Sequence, residues 1–162
     1  MRRYSSRPLP PYRFVPGETP HPVRHPEGHS YGARRAPLPA WRPEEWRGIE
    51  EWLWAVDLFN HDYWWECHEA LEALWHAAGR TSTPARFAQS LVHLSAACLN
   101  RRRGNEEAAR RQAARAIRGL RSAAREMGPH VMGLDVEGLV GEVGLAFSRP
   151  DTRVPRLDLD IR

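Results

Sequence analysis

The sequence predicts an all-α protein, a compact bundle of four to five antiparallel helices carrying an extended Pro-rich N-terminal arm. Three observations lead there. Apolar residues recur at three- and four-residue spacing between about Trp41 and Phe147. No stretch alternates apolar and polar residues over the length of a strand. Nine of the 14 prolines fall in residues 1–42, which show no helical period. The expected organisation is an arm over 1–42 that packs on the body, a helical domain over 43–147 and an extended tail over 148–162. At 162 residues and 41% hydrophobic content, one ordinary domain core can be built.

Each helix has its own start and stop signals. Pro43, with Glu44 and Glu45 behind it, opens the first, and Trp46, Ile49, Trp52, Leu53 and Val56 carry its apolar spacing to Asn60. Asp62 is the expected cap of a second helix that runs to about Ala78 and stops at Gly79. Thr83 and Pro84 open a third, which runs to Arg103 before Gly104. Asn105 caps a fourth, rich in Ala and Arg, that ends before Gly128 and Pro129. Asp135 caps a short fifth near 136–147, where Gly138, Gly141 and Gly144 lower the helix propensity. Short loops between the helices force neighbours to run antiparallel.

Charge is segregated along the chain. All 24 basic residues are arginine. Residues 1–42 carry a net +6, 43–79 a net −8, 80–125 a net +9 and 126–162 a net −3. The positive pieces therefore have a negative partner inside the same molecule. On the fourth helix Arg110, Arg111, Arg115, Arg118, Arg121 and Arg125 fall in one sector opposite Ala109, Ala113, Ile117, Leu120 and Ala124. A solvated face is the ordinary reading of that sector, and a nucleic-acid or anionic-ligand surface the minority one. No Gly-rich phosphate loop or Ser-His-Asp order accompanies it. Cys67 and Cys98 sit in apolar helical patterns without a CxxC partner and read as buried hydrophobes in a reducing compartment. The arginine-bearing N-terminus lacks an apolar h-region, and no run of 18 apolar residues occurs. Neither a signal peptide nor a membrane partner is expected, and a cytoplasmic location follows; a homo-oligomer is compatible with the sequence.

The segment that can carry chemistry is Tyr63-Trp64-Trp65-Glu66-Cys67-His68-Glu69-Ala70-Leu71-Glu72-Ala73-Leu74-Trp75. His68 and Glu72 stand at i and i+4, a spacing at which two helical side chains can share a metal ion or a proton. A helical projection puts Trp64, Cys67, Leu71, Leu74 and Trp75 on the core face, His68 just inside its edge and Glu72 at its border. Glu69 lies further round and Glu66 points away. The third helix has no charged residue from Phe87 to Asn100, so it is the one expected to be buried. Phe87, Leu91, Leu94 and Cys98 form its apolar stripe; Gln89, His93, Ala96 and Asn100 form a largely polar one. Buried polar groups need partners, and His68 and Glu72 are the nearest candidates.

Two readings fit this cluster. In one, His68, Glu72 and His93 hold Zn²⁺, Mn²⁺, Fe²⁺ or Ni²⁺, and Glu69 serves as a general base for hydrolysis of a small-molecule substrate. In the other, a non-enzymatic binding or scaffold module, the same residues with Glu66, Gln89, Asn100 and Trp75 form a hydrogen-bonded network that sets helix packing. The tryptophans are packing residues first. In the arm, His21, His25 and His29 are evenly spaced, but Pro22 and Pro26 forbid the helix that would align them. They are candidates for an arm site over a metal, against the plainer reading of an arm that packs through its aromatic and proline residues.

The residues from Phe59 to Asn105 resemble the family catalogued as domain of unknown function 309. The resemblance rests on Trp65-Glu66-Cys67-His68-Glu69-Ala70-Leu71-Glu72-Ala73-Leu74-Trp75, then Phe87-Ala88-Gln89-Ser90-Leu91-Val92-His93, then Arg103-Gly104-Asn105. It implies a multihelical bundle and a predicted metal-dependent hydrolase, with Glu66, His68, Glu69, Glu72, Trp75 and Gln89 at family positions. His93 stands where the family usually has glutamine, and Asn100 where it often has histidine. The arm over 16–32 is similar to the one carried by longer members.

Overall fold

The axis of the structure is the helix that bears no charge through its middle. The structure, a computed structural model, describes residues 2–161. A 3-10 turn at Pro43–Gly48 leads into α1 (Glu50–Asn60), α2 (Trp64–Ala77), α3 (Thr83–Arg102), α4 (Glu106–Met127) and α5 (Val136–Ser148). Phe87, Leu91, Leu94, Ala97 and Cys98 of α3 are fully buried, and α3 packs chiefly against α4 on one side and α2 on the other. α1 packs on α2, and α5 on α4. The fold is all-α, as the periodicity predicts.

Local chemistry explains the element ends. Ser82 Oγ accepts the Ala85 N–H at 3.2 Å and caps α3, which starts at the predicted Thr83. Asn105 Oδ1 accepts from Ala108 N, and Asp135 Oδ1 from Gly138 N, both at 3.1 Å, as expected of Ncap residues. Asp62 acts differently from its predicted role. It takes a left-handed conformation (φ 67°) at the end of α1, its N–H bonding Phe59 O while Tyr63 N bonds Leu58 O. That paired closure terminates a helix, and the short polar side chain of Asp tolerates it. Gly104 holds the same position after α3. The predicted single helix from Pro43 to Asn60 is broken at Ile49, whose backbone (φ −86°, ψ 89°) is not helical.

One element escapes the sequence pattern. His130–Val131 and Leu134–Asp135 form a two-stranded antiparallel hairpin, with His130 opposite Asp135 and Val131 opposite Leu134. Two-residue strands have no room for alternation. Met132 (φ 50°) and Gly133 (φ 84°) make the tight loop, and a β-carbon at Gly133 would stand 2.7 Å from the Trp46 ring.

Residues 2–42 contain no helix or strand and lie along α1 and α2. Asp57, wholly buried on α1, anchors them. Its Oδ2 accepts from Arg3 Nε at 2.8 Å and Ser5 N at 2.9 Å, and its Oδ1 from Tyr4 N at 2.9 Å. Further along, the Trp54 indole donates to Pro8 O at 3.2 Å and the Tyr63 hydroxyl to Pro10 O at 3.0 Å. The C-terminal tail is held by Asn60, whose side chain bonds both the N–H and the carbonyl of Leu157 at 2.8 and 2.9 Å. Leu159 N donates to the Tyr4 hydroxyl at 3.0 Å, so arm and tail meet.

Asp57→Ala leaves the buried Ser5 N–H, the partly buried Tyr4 N–H and a guanidinium without their acceptor. A loss of about 2–4 kcal/mol in unfolding free energy is expected, with faster tryptic cleavage at Arg13 and Arg24. An unchanged melting temperature and digestion pattern would remove Asp57 as the anchor.

Candidate functional site

α2 divides its side chains among three environments. Cys67, Ala70, Leu71 and Leu74 enter the core, where burial pushes the Cys67 thiol well above its ordinary range and leaves it unreactive. A second face meets the arm. A third holds a half-exposed cluster, His68, Glu69 and Glu72, whose ligand atoms all lie within 4.8 Å of one another.

The cluster follows from helical geometry. His68 and Glu72 are one turn apart, with Nε2 and Oε1 3.4 Å from each other and side chains 29% and 37% exposed. Glu69 stands beside them, half-buried. Burial raises its carboxyl above the ordinary range, Glu72 raises it further, and His68, Arg35 and His21 draw it back. His68 and Glu72 on one helical face could hold a divalent transition ion, with Glu69 beside them and open positions toward solvent. Among the described residues this is the one group of three or more His, Cys, Asp or Glu placed to do so.

The other candidates take separate places. His93 does not join the cluster. Its Nδ1 lies 2.8 Å from Gln112 Oε1 on α4, because the polar stripe of α3 faces α4 as well as α2. Burial lowers its pKa below the ordinary 6.5; Gln112 opposes that shift, and the charges of Arg115, His68 and Arg118 add to it. Asn100 donates to Ala96 O within its own helix at 2.8 Å. Trp75 donates to Arg80 O at 2.9 Å and closes the turn after α2. Gln89 is half-buried on α3 and shares no hydrogen bond with the described residues. All six arginines of the α4 sector are exposed.

Glu66 corrects the helical projection. It does point away from the α3 side, but the arm covers it and only 3% of it is exposed. Its Oε1 accepts from Phe14 N at 2.8 Å and lies 3.1 Å from His29 Nε2. Ser30 Oγ is 2.8 Å from His29 Nδ1, so both ring nitrogens have a partner. Burial raises the Glu66 carboxyl, and the bonds from His29 and Phe14 oppose that shift. The arm histidines do not converge on one another. His21 Nδ1 accepts from Val23 N and Arg24 N, both at 3.3 Å, while its ring packs edge-on to Trp65; exposed His25 accepts from Glu27 N at 3.1 Å.

Residues 52–112 match the model of the family described as a domain of unknown function, DUF309. Over that segment the chain is similar to this family. The segment runs from α1 into α4 and contains the His68, Glu69 and Glu72 cluster, the His93–Gln112 pair, Glu66 and Asp57, while the arm lies outside it. No curated protein matches the chain. Among the described residues no helix is long and apolar enough to cross a membrane.

His93 supplies a pH test of this segment. Its folded-state pKa lies below the unfolded value, so the unfolded chain binds the proton first. The stability it permits is complete above about 6.5 and lost as the pH falls through and below that point. His93→Gln, which keeps a hydrogen-bonding group toward Gln112, is expected to flatten the acid limb of a melting-temperature profile. Parallel profiles for the two proteins would refute that assignment.

Proposed function

We propose that the protein is a metal-dependent hydrolase of a small substrate, with His68 and Glu72 holding a divalent transition ion and Glu69 accepting the proton. The observation that carries this reading is how little else the cluster does. Among the described residues His68 and Glu72 pair with each other and form no hydrogen bond or ion pair with another element, and Glu69 shares no hydrogen bond. A network that fixed helix packing would reach across to α3. This one stays on α2 and faces outward, as a ligand set with open positions must.

The division of roles follows from environment. His68 offers an imidazole nitrogen and Glu72 a half-exposed carboxylate. Burial raises the Glu69 carboxyl and Glu72 raises it further, which suits Glu69 to accept a proton. A bound ion would supply Lewis acidity, and Glu69 would take the proton of the attacking water. Zn²⁺, Mn²⁺, Fe²⁺ and Ni²⁺ all suit this donor set.

Metal analysis of protein purified without an affinity tag, with titration of the chelated form, tests the reading. One ion per chain is expected, lost in His68→Ala and Glu72→Ala, whose stabilities stay within about 1 kcal/mol of the parent. Glu69→Gln should keep the ion but lower turnover of ester, amide or phosphoester probes by about a hundredfold or more. The reading falls if no site saturates or if His68→Ala binds metal as the parent does.

A further inference from the structure

A second feature stands under the arm. A cavity of about 640 Å³ lies between the arm and the Trp54 and Trp65 sides of α1 and α2. Its walls include four prolines and the indoles of Trp54 and Trp65, rigid surfaces suited to an apolar body. Arg7 and Arg35 line it too, but both are engaged. Their Nη1 atoms donate to Glu51 Oε2 and Oε1 at 2.8 and 2.9 Å, and Arg7 stacks 3.5 Å over the Trp54 ring.

The acids on the wall are not so engaged. Glu66 lines the cavity, and its Oε1 is committed to Phe14 and His29. Its Oε2 is shut off from solvent and accepts no hydrogen bond. Leaving a buried acceptor unpaired costs about 1–3 kcal/mol, more for a charged group. Glu69 lines the same cavity and shares no hydrogen bond with the described residues. One water, which takes up about 30 Å³ in the liquid, would fill a small part of the space.

We propose that this cavity binds a small organic cation, an ammonium whose N–H groups bond Glu66 Oε2 and Glu69 while its apolar body lies against Trp54 and Trp65. The sign of the ligand follows from the pairing. The guanidinium groups already share one carboxylate, whereas the two acids still need donors. An ammonium beside indole faces gains cation–π attraction as well. The cavity touches the proposed metal cluster through Glu69, yet ligand binding here requires no metal.

Calorimetric titration of the full chain at neutral pH, with a chelator present throughout, separates this proposal from the hydrolase reading. The probes are benzylamine, benzyl alcohol and benzoate, which share a ring and differ in charge. Benzylamine is expected to bind one site, about tenfold or more tighter than benzyl alcohol, with benzoate weakest. Glu66→Gln should weaken benzylamine by about tenfold or more and leave benzyl alcohol unchanged. Benzoate or benzyl alcohol binding as well as benzylamine, no heat from benzylamine at millimolar concentration, or unchanged affinity in a folded Glu66→Gln protein would each overturn the proposal. Should Glu66→Gln fail to fold, the ranking of the three probes on the parent protein decides alone.

Discussion

Two acids buried on the helical body, Asp57 of α1 and Glu66 of α2, require donors that the body does not provide. The arm provides them: Arg3, Tyr4 and Ser5 at Asp57, then Phe14 and His29 at Glu66. A carboxylate removed from water with no such partners would cost several kcal/mol or take up a proton. Most of these donors are backbone N–H groups, which an arm without helix or strand has to spare. The irregular conformation of the arm and the burial of the acids are thus one arrangement seen from two sides. The prolines fit it as well, since they lack the N–H that would otherwise compete.

The docked arm decides which face of α2 meets solvent. It covers Trp65 and Glu66, while α3 covers Cys67, Ala70, Leu71 and Leu74. His68, Glu69 and Glu72 are left between these two covers. They are buried enough for the Glu69 carboxyl to be raised and open enough for a ligand to reach. Without the arm, Glu66 would be a solvated acid on an exposed helical turn. The chemistry of this helix therefore depends on residues far away in sequence.

Local features were legible in the sequence and distant ones were not. The all-α class, the uncharged α3 and the Asn105 and Asp135 caps follow from patterns within a few turns. So does the pairing of His68 with Glu72, because one helical turn is set by the backbone. His93 was expected beside them, but its side is decided by the rotation of α3 against α4, where Gln112 offers an amide oxygen. The hairpin at His130–Asp135 is too short to show a period, and Asp62 suits either end of a helix. The cover over Glu66 comes from Phe14 and His29, which no helical projection of α2 contains. One signal for the arm was present: Asp57 is a lone acid in the otherwise apolar run Trp52–Phe59.

The charge segregation of the sequence resolves into distinct physical jobs. The positive arm meets the acidic α1 through Arg3–Asp57, Arg7–Glu51 and Arg35–Glu51, the internal partnership that the alternating net charges suggest. Arginine suits these contacts better than lysine would. Its planar group donates to a carboxylate while stacking on an aromatic ring, as Arg7 does between Glu51 and Trp54. Arg101 shows the same versatility, donating to the carbonyls of Ala146 and Thr152 while lying 4.3 Å over the Phe147 ring. On α4 the arginines stay exposed, with Arg111 alone paired to an acid of that helix, Glu107. Their charge reaches His93 across the α3 seam and helps keep that ring neutral. Three of the arm's eight arginines are thus paired with acids of α1, while the six arginines of the α4 sector face solvent.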